Sequence, residues 1–128
     1  VVTLGATALA ETAARSLNIT EIATASQLEG GVPTSTVDSF QRNRGWIYCF
    51  MRLENPTRQE GSVYVAFEPA TSGEPSSGIR GIALNIPARA RYRTFARTGS
   101  RMAAGSYRCV VRDGDGTVLR HTPFTITE

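Results

Sequence analysis

The chain has 128 residues, enough for one domain, and it carries a formal net charge of +3. Its composition, 41% hydrophobic and 20% charged, allows a buried core and excludes a disordered coil. No apolar run of about 18 residues occurs, so the sequence predicts no membrane span. The mild positive charge lacks the dense basic patch typical of nucleic-acid-binding domains, and we expect no nucleic acid as partner.

Residues 1–16 are predicted to form an arm that precedes the folded domain, residues 17–128. Extended backbone is favoured over residues 1–10, and the Ala, Glu and Arg content favours helix over residues 11–16. In the extended part, alternate positions place apolar side chains on one face of the arm: Val2, Leu4, Ala6, Ala8 and Ala10.

Beyond residue 17 the apolar residues recur with a period of two, which indicates strands. Polar and Gly/Pro-rich segments separate them, including predicted loops over residues 30–39 and 71–78. Seven strands at this spacing are typical of an antiparallel sandwich. They are predicted at residues 17–27, 45–53, 62–68, 80–86, 88–97, 105–112 and 117–127.

Candidate catalytic and metal-binding residues are scarce. The chain has one His and two Cys, with no CxxC, HExxH, GxSxG or phosphate-binding glycine motif. Asp113–Gly116 is typical of a hairpin turn and not of a calcium loop, because Phe124 stands where an EF-hand has its twelfth-position Glu. We therefore expect no enzyme activity, no metal and no cofactor.

One predicted strand carries aromatic residues on the face opposite its apolar core residues. If Ile47 and Cys49 point inward, then Trp46, Tyr48 and Phe50 point the other way. Three aligned aromatic rings in water would form an unusual patch, suited to stacking on sugars or to packing under another strand or subunit. The alternative is that loop 28–44 or the N-terminal arm of the same chain covers them.

All fourteen basic residues are arginine, and four of them are predicted to line one strand. A two-residue period places them on one face with Phe95, opposite Tyr92 and Thr94. Such a row suits bidentate binding of carboxylate, sulfate or phosphate, or the acidic residues of another subunit. The alternative is a solvated face whose arginines pair with Glu across strands. The four residues are Arg89, Arg91, Arg93 and Arg97.

The segment Gly105–Cys109 resembles the G-x-Y-x-C pattern of strand F in immunoglobulin-like domains. The resemblance implies that the Tyr107 ring is buried with its hydroxyl bonded to backbone, and that Cys109 pairs with Cys49. Two buried free thiols are the alternative. We therefore predict an all-β, seven-stranded immunoglobulin-like antiparallel sandwich with an extended or partly helical N-terminal arm.

A second resemblance covers residues 19–127. Tyr48–Asn55, Tyr92–Phe95 and the Asp113–Leu119 segment are similar to the Y-C-F, R-T-aromatic and D-G-x-x-L patterns of a bacterial family of exported domains of unknown function. The family's His-x-Trp is missing from residues 62–67. The resemblance implies a bacterial source, a β-sandwich and export to the periplasm, the cell surface or the medium.

The N-terminus bears on the same expectation. Val1 in place of Met is expected to be a processed start, and Ala8–Ala10 resembles the small-residue end of a secretion signal. We nevertheless expect residues 1–10 to be a working arm that packs against another copy of the protein, and not a leftover signal. The alternative is an arm folded back as an extra strand or helix of its own domain. We expect a non-catalytic structural protein, a subunit of a bacterial surface filament or similar assembly built through its arm. The alternative is a monomeric periplasmic or cell-surface binding module, with an acidic or glycan ligand.

Overall fold

The computed structural model describes residues 17–128, which form ten strands and no helix. The prediction of an all-β fold is confirmed, but the count of seven strands is wrong for these residues. The predictions for the arm, including the helix at 11–16 and the face formed by Val2, Leu4, Ala6, Ala8 and Ala10, lie outside the described residues. The strands are β1 Asn18–Ala25, β2 Leu28–Glu29, β3 Val32–Pro33, β4 Ser39–Gln41, β5 Trp46–Glu54, β6 Gly61–Pro69, β7 Ile82–Ile86, β8 Arg91–Gly99, β9 Gly105–Arg112 and β10 Val118–Thr127.

The three additional strands lie in the segment that was predicted as a loop. β2 and β3 form a two-residue ribbon whose turn uses Gly30 and Gly31, both at positive φ. β4 adds to the C-terminal strand in parallel, with Phe40 opposite Ile126. Strands of two or three residues are too short for a period of two to be recognised, so their sequence resembled a polar loop.

Two larger sheets organise the rest of the described chain. One has three strands in the order β1-β5-β8, and the other has five in the order β4-β10-β9-β6-β7. All neighbouring strands in them are antiparallel except β4 and β10. No helix among the described residues is long and apolar enough to cross a membrane.

Both sheets contribute to one hydrophobic core. β5 supplies Ile47 and Met51, and β6 supplies Val63 and Val65, all with no exposed surface. The disulfide predicted between Cys49 of β5 and Cys109 of β9 is confirmed, with a Cα–Cα distance of 6.6 Å. It closes 60 residues of chain, which in the chain-entropy model stabilises the fold by about 4 kcal/mol.

Two local predictions in the C-terminal hairpin are also confirmed. The Tyr107 ring is buried, and its hydroxyl donates to the Ala103 carbonyl at 2.6 Å. Asp113 builds the turn between β9 and β10, because its side chain accepts bonds from the backbone N–H groups of Asp115 and Thr117. Gly116 closes that turn at φ 83°, a conformation that favours glycine.

Candidate ligand-binding face

The outer surface of the three-stranded sheet, called here the open face, brings together most of the site residues predicted from the sequence. Its residues are set by the register between β5 and β8. The pairs are Glu54–Arg91, Arg52–Arg93, Phe50–Phe95 and Tyr48–Arg97, with Trp46 opposite Gly99 at one end. β1 adds Glu21 beside Arg52 and Ala23 beside Phe50.

Three of the four predicted arginines lie in a row along β8. Arg91, Arg93 and Arg97 are exposed, and Phe95 between them is 38% exposed. The prediction that Arg89 belongs to this strand is wrong, because Pro87 is followed by a turn and β8 begins only at Arg91. Arg89 is exposed in that turn.

The alternative for this row was that its arginines pair with Glu across strands. Such a pair does form, but at Arg52 and not in the row itself. Arg52 of β5 donates to Glu21 at 3.0 Å, with both side chains nearly half exposed. The ion pairs formed within residues 17–128 do not include Arg91, Arg93 or Arg97. Arg93 donates a single long bond, 3.4 Å, to the Gly30 carbonyl at the tip of the β2–β3 ribbon.

The aromatic residues of the open face differ in exposure. Trp46 is 47% exposed, and the Arg97 guanidinium stacks over its ring at 4.1 Å from the centroid. Tyr48 is half-buried and contacts the edge of Phe95, with ring centroids 5.6 Å apart.

Phe50 lies on this face as predicted from the strand period, but it is not exposed. Its side chain is fully buried, with Ala23 and Phe95 beside it in the register and the Arg52 guanidinium 5.3 Å from its ring centroid. The bond from Arg93 to Gly30 brings the tip of the ribbon to the same face. Part of loop 28–44 therefore contacts the open face at Arg93.

Two clefts open at opposite ends of the open face. The arginine cleft has a volume of about 450 Å³ and is lined by Thr20, Arg52, Leu53, Glu54, Arg91, Tyr92 and Arg93. The tryptophan cleft has a volume of about 710 Å³ and is lined by Asn43, Gly45, Trp46, Gly99, Ser100 and Arg101. The face therefore combines cations and flat rings with concave surface at each end.

The outer surface of the five-stranded sheet is covered along β9 instead. Residues 70–81, called here the strap, bond to this strand, whose Val110 and Arg112 are fully buried. Arg108 of β9 donates to the Gly73 carbonyl at 2.8 Å and to the Thr71 hydroxyl at 3.3 Å. Arg112 donates two bonds to the Ser76 carbonyl, at 3.0 and 2.7 Å.

The Glu68 carboxylate also takes part in these contacts between β9 and the strap. Glu68 accepts from both terminal nitrogens of Arg112, at 2.9 and 3.1 Å, and from Arg80 of the strap at 2.7 Å. Burial opposes ionisation of Glu68, but the hydrogen bonds from Arg112 and Arg80 outweigh it and hold the pKa of the carboxyl below its ordinary value. The sequence analysis missed this cluster, because an outward-facing arginine occupies the same position in the two-residue period whether it is buried or exposed.

Other ionisable groups form no catalytic arrangement among residues 17–128. His121 lies 3.2 Å from Glu74, whose side chain is 88% exposed. No three His, Cys, Asp or Glu side chains of this part of the chain come together as a metal site. Both cysteine sulfurs are held in the disulfide.

No family model and no curated protein matches the chain. Among solved structures, the chain is similar to the Pseudomonas fluorescens alkylpurine DNA glycosylase AlkC bound to DNA containing an abasic site analog. The TM-score is 0.58 at 16% sequence identity, and the match covers 94% of this chain but 34% of that one. At this identity the likeness concerns the fold alone.

Proposed function

We propose that the chain is a non-catalytic, exported structural protein, the subunit of a bacterial surface filament or similar assembly. In this proposal residues 1–10 of one copy add as a strand to β7 of the next copy. One observation carries it: β7 is an apolar edge strand without the devices that usually keep such edges from pairing.

The composition and position of β7 support its role as acceptor. Within residues 17–128 the strand pairs only with β6, at the end of the five-stranded sheet. Its sequence, Ile82-Ala-Leu-Asn-Ile86, contains no charged residue and no proline. Ile82 is 40% exposed, and Ile79 just before the strand is 55% exposed. Native edges usually carry Lys, Pro or a bulge, so an unprotected edge suits strand addition.

The start of the described chain lies near this edge. Leu17 lines the same cleft as Gly61 and Ser62, whose partners in β7 are Ile86 and Asn85. The extended part of the proposed arm, residues 1–10, spans up to about 33 Å, about twice the length of β7. It is therefore long enough to reach the edge of a second copy. A head-to-tail contact of this kind builds a fibre unless its rotation closes a ring.

The experiment compares the assembly of the full-length protein and of three variants by analytical ultracentrifugation at high concentration. Deletion of residues 1–10 and the substitution Ala83→Lys on β7 are each expected to leave folded monomer, because each removes one side of the contact. The control is Ser39→Lys on β4, an exposed position at the opposite edge of the same sheet. It is expected to leave assembly unchanged.

Two results would overturn the assembly proposal. One is full-length protein that sediments as a monomer at every concentration. The other is an assembly that survives both the deletion and Ala83→Lys, since neither half of the contact would then be needed.

The finer features of the fold and the location are part of the same proposal. The disulfide between β5 and β9, together with the Tyr107 hydroxyl bond, supports an immunoglobulin-like sandwich enlarged by β2, β3 and β4. A structural disulfide persists in oxidising compartments, which supports export.

A monomeric cell-surface binding module is the second candidate function. The observation that favours it is the half-exposed Trp46 beside the tryptophan cleft, on a sheet surface that also carries exposed arginines. The two candidates use different surfaces, since β7 belongs to the five-stranded sheet and Trp46 to the three-stranded one.

A further inference from the structure

We infer that the open face binds an acidic polysaccharide, laid along β8 from the arginine cleft to the tryptophan cleft. This site deepens the second candidate function and needs no assembly, because none of its residues lies on β7 or in residues 1–10. The ligand class follows from the spacing of the arginines, from their hydrogen-bond donors that are free for a ligand, and from the position of the aromatic rings.

The row along β8 has the dimensions of a short polymer site. Side chains on one face of a strand recur about every 6.7 Å, so Arg91 and Arg97 are about 20 Å apart. Arg93 and the exposed ring of Phe95 lie between them, and Trp46 extends the row at the end of Arg97. Cations and rings thus follow one another along a single line.

The arginines of this row have donors free for a ligand. Arg91 and Arg97 form no ion pair with the carboxylates of residues 17–128, and Arg93 uses one nitrogen for its long bond to Gly30. The guanidinium group presents parallel N–H donors that match a carboxylate or sulfate in a bidentate way. A row of such groups selects an anionic ligand.

The density of charge favours a glycan over a nucleic acid. Each strand of a DNA duplex carries one phosphate about every 3.4 Å of helix axis, whereas the row offers three arginines over about 20 Å. Glu54 and Glu21 lie on the same face and would repel a closely spaced polyanion. Acidic groups separated by uncharged parts of a sugar chain meet this pattern without repulsion.

The rings and clefts supply the remaining contacts. Phe95 and Trp46 offer flat apolar surface, which the C–H face of a sugar ring can cover. The exposed amide of Asn43 in the tryptophan cleft and the Thr20 hydroxyl in the arginine cleft can bond sugar hydroxyls. The site therefore has a basic end at the arginine cleft and a stacking end at the tryptophan cleft.

The test measures binding of hyaluronate, in which a carboxylate-bearing sugar alternates with an uncharged one, by isothermal titration calorimetry, with uncharged dextran and a DNA duplex as comparison probes. We expect binding of hyaluronate only. Arg91→Gln combined with Arg93→Gln should weaken it about tenfold or more, because two charge-assisted contacts are lost. Trp46→Ala should weaken it by a smaller factor.

The matched control is Arg42→Gln combined with Arg58→Gln, which lowers the net charge equally without changing a residue that lines either cleft, and it should leave the affinity within about twofold. Deletion of residues 1–10 should not change the affinity, which separates this site from the assembly contact. No binding of hyaluronate, an equal loss in the control, or preference for the DNA duplex would each overturn the acidic-glycan site.

Discussion

The outer surfaces of the two sheets use the same residue type for opposite purposes. On the five-stranded sheet, Arg112 is completely buried and its guanidinium makes four hydrogen bonds, to Glu68 and the strap. On the three-stranded sheet, Arg91 and Arg97 are exposed and form no ion pair with residues 17–128. One surface is closed by its own chain, and the other carries unpaired cations.

The difference teaches that the contacts of an arginine, and not its residue type, decide whether it stabilises the fold or remains available to a ligand. A buried guanidinium is tolerated only when its charge and donors are satisfied, so Arg112 serves the fold. An exposed guanidinium without a carboxylate contributes little to stability and remains available to a ligand. The comparison predicts that equal substitutions on the two surfaces have unequal effects on stability.

The largest expected effect is on the closed surface. Glu68→Gln leaves the buried Arg112 without its counter-charge, and removing one partner of a buried pair costs about 3–5 kcal/mol. The measurement is urea unfolding at neutral pH, with the free energy of unfolding compared with that of the unsubstituted protein.

The matched substitution on the open face is Glu21→Gln, which removes the carboxylate that pairs with Arg52. Because both partners are largely solvated, we expect a loss below about 1 kcal/mol. Similar losses for Glu68→Gln and Glu21→Gln would contradict the distinction between the two surfaces.

A smaller effect is expected from acid. The pKa of Glu68 is lowered in the folded protein, so its contribution to stability is fully present above the ordinary pKa of 4.5 and is lost as the pH falls through the lowered one. The gap in unfolding free energy between the unsubstituted protein and Glu68→Gln should therefore narrow below about pH 4.5. A gap that stays constant, or widens, down to the acid unfolding transition would show that ionised Glu68 is not what stabilises the strap.

The sequence predicted those parts of the fold that depend on alternation. β5, β6 and β9 alternate clearly, and the G-x-Y-x-C resemblance led to the correct cysteine pair. Exposure on the outer surfaces could not be predicted, because alternation assigns a side chain to a face without saying what covers it. Phe50 and Arg112 both follow the outward period and both are buried, Phe50 with Arg52 over its ring and Arg112 by contacts from the strap.

The prediction for the arginine row was incorrect at Arg89 because the sequence placed the start of β8 too early. The sequence predicted a strand from residue 88, whereas the structure places Arg89 in the turn after Pro87. The Arg89 N–H donates back to the Pro87 carbonyl at 2.8 Å, which closes a tight turn and delays the start of β8. The turn residues extend from Pro87 to Ala90, a length that the sequence did not indicate.

The smallest expected effect on stability belongs to the residues proposed to bind ligand. Arg91→Gln combined with Arg93→Gln removes no ion pair formed within residues 17–128, and it gives up one hydrogen bond of 3.4 Å to Gly30. Surface substitutions of this kind change the unfolding free energy by about 0.5 kcal/mol or less each. Removing two neighbouring positive charges could even raise stability slightly, because like charges on one face repel one another. Urea unfolding of the double variant at low ionic strength, where such repulsion is least screened, is the measurement. A loss approaching that of Glu68→Gln would mean that Arg91 and Arg93 stabilise the fold as Arg112 does, and the open face would then lose its distinction from the closed one.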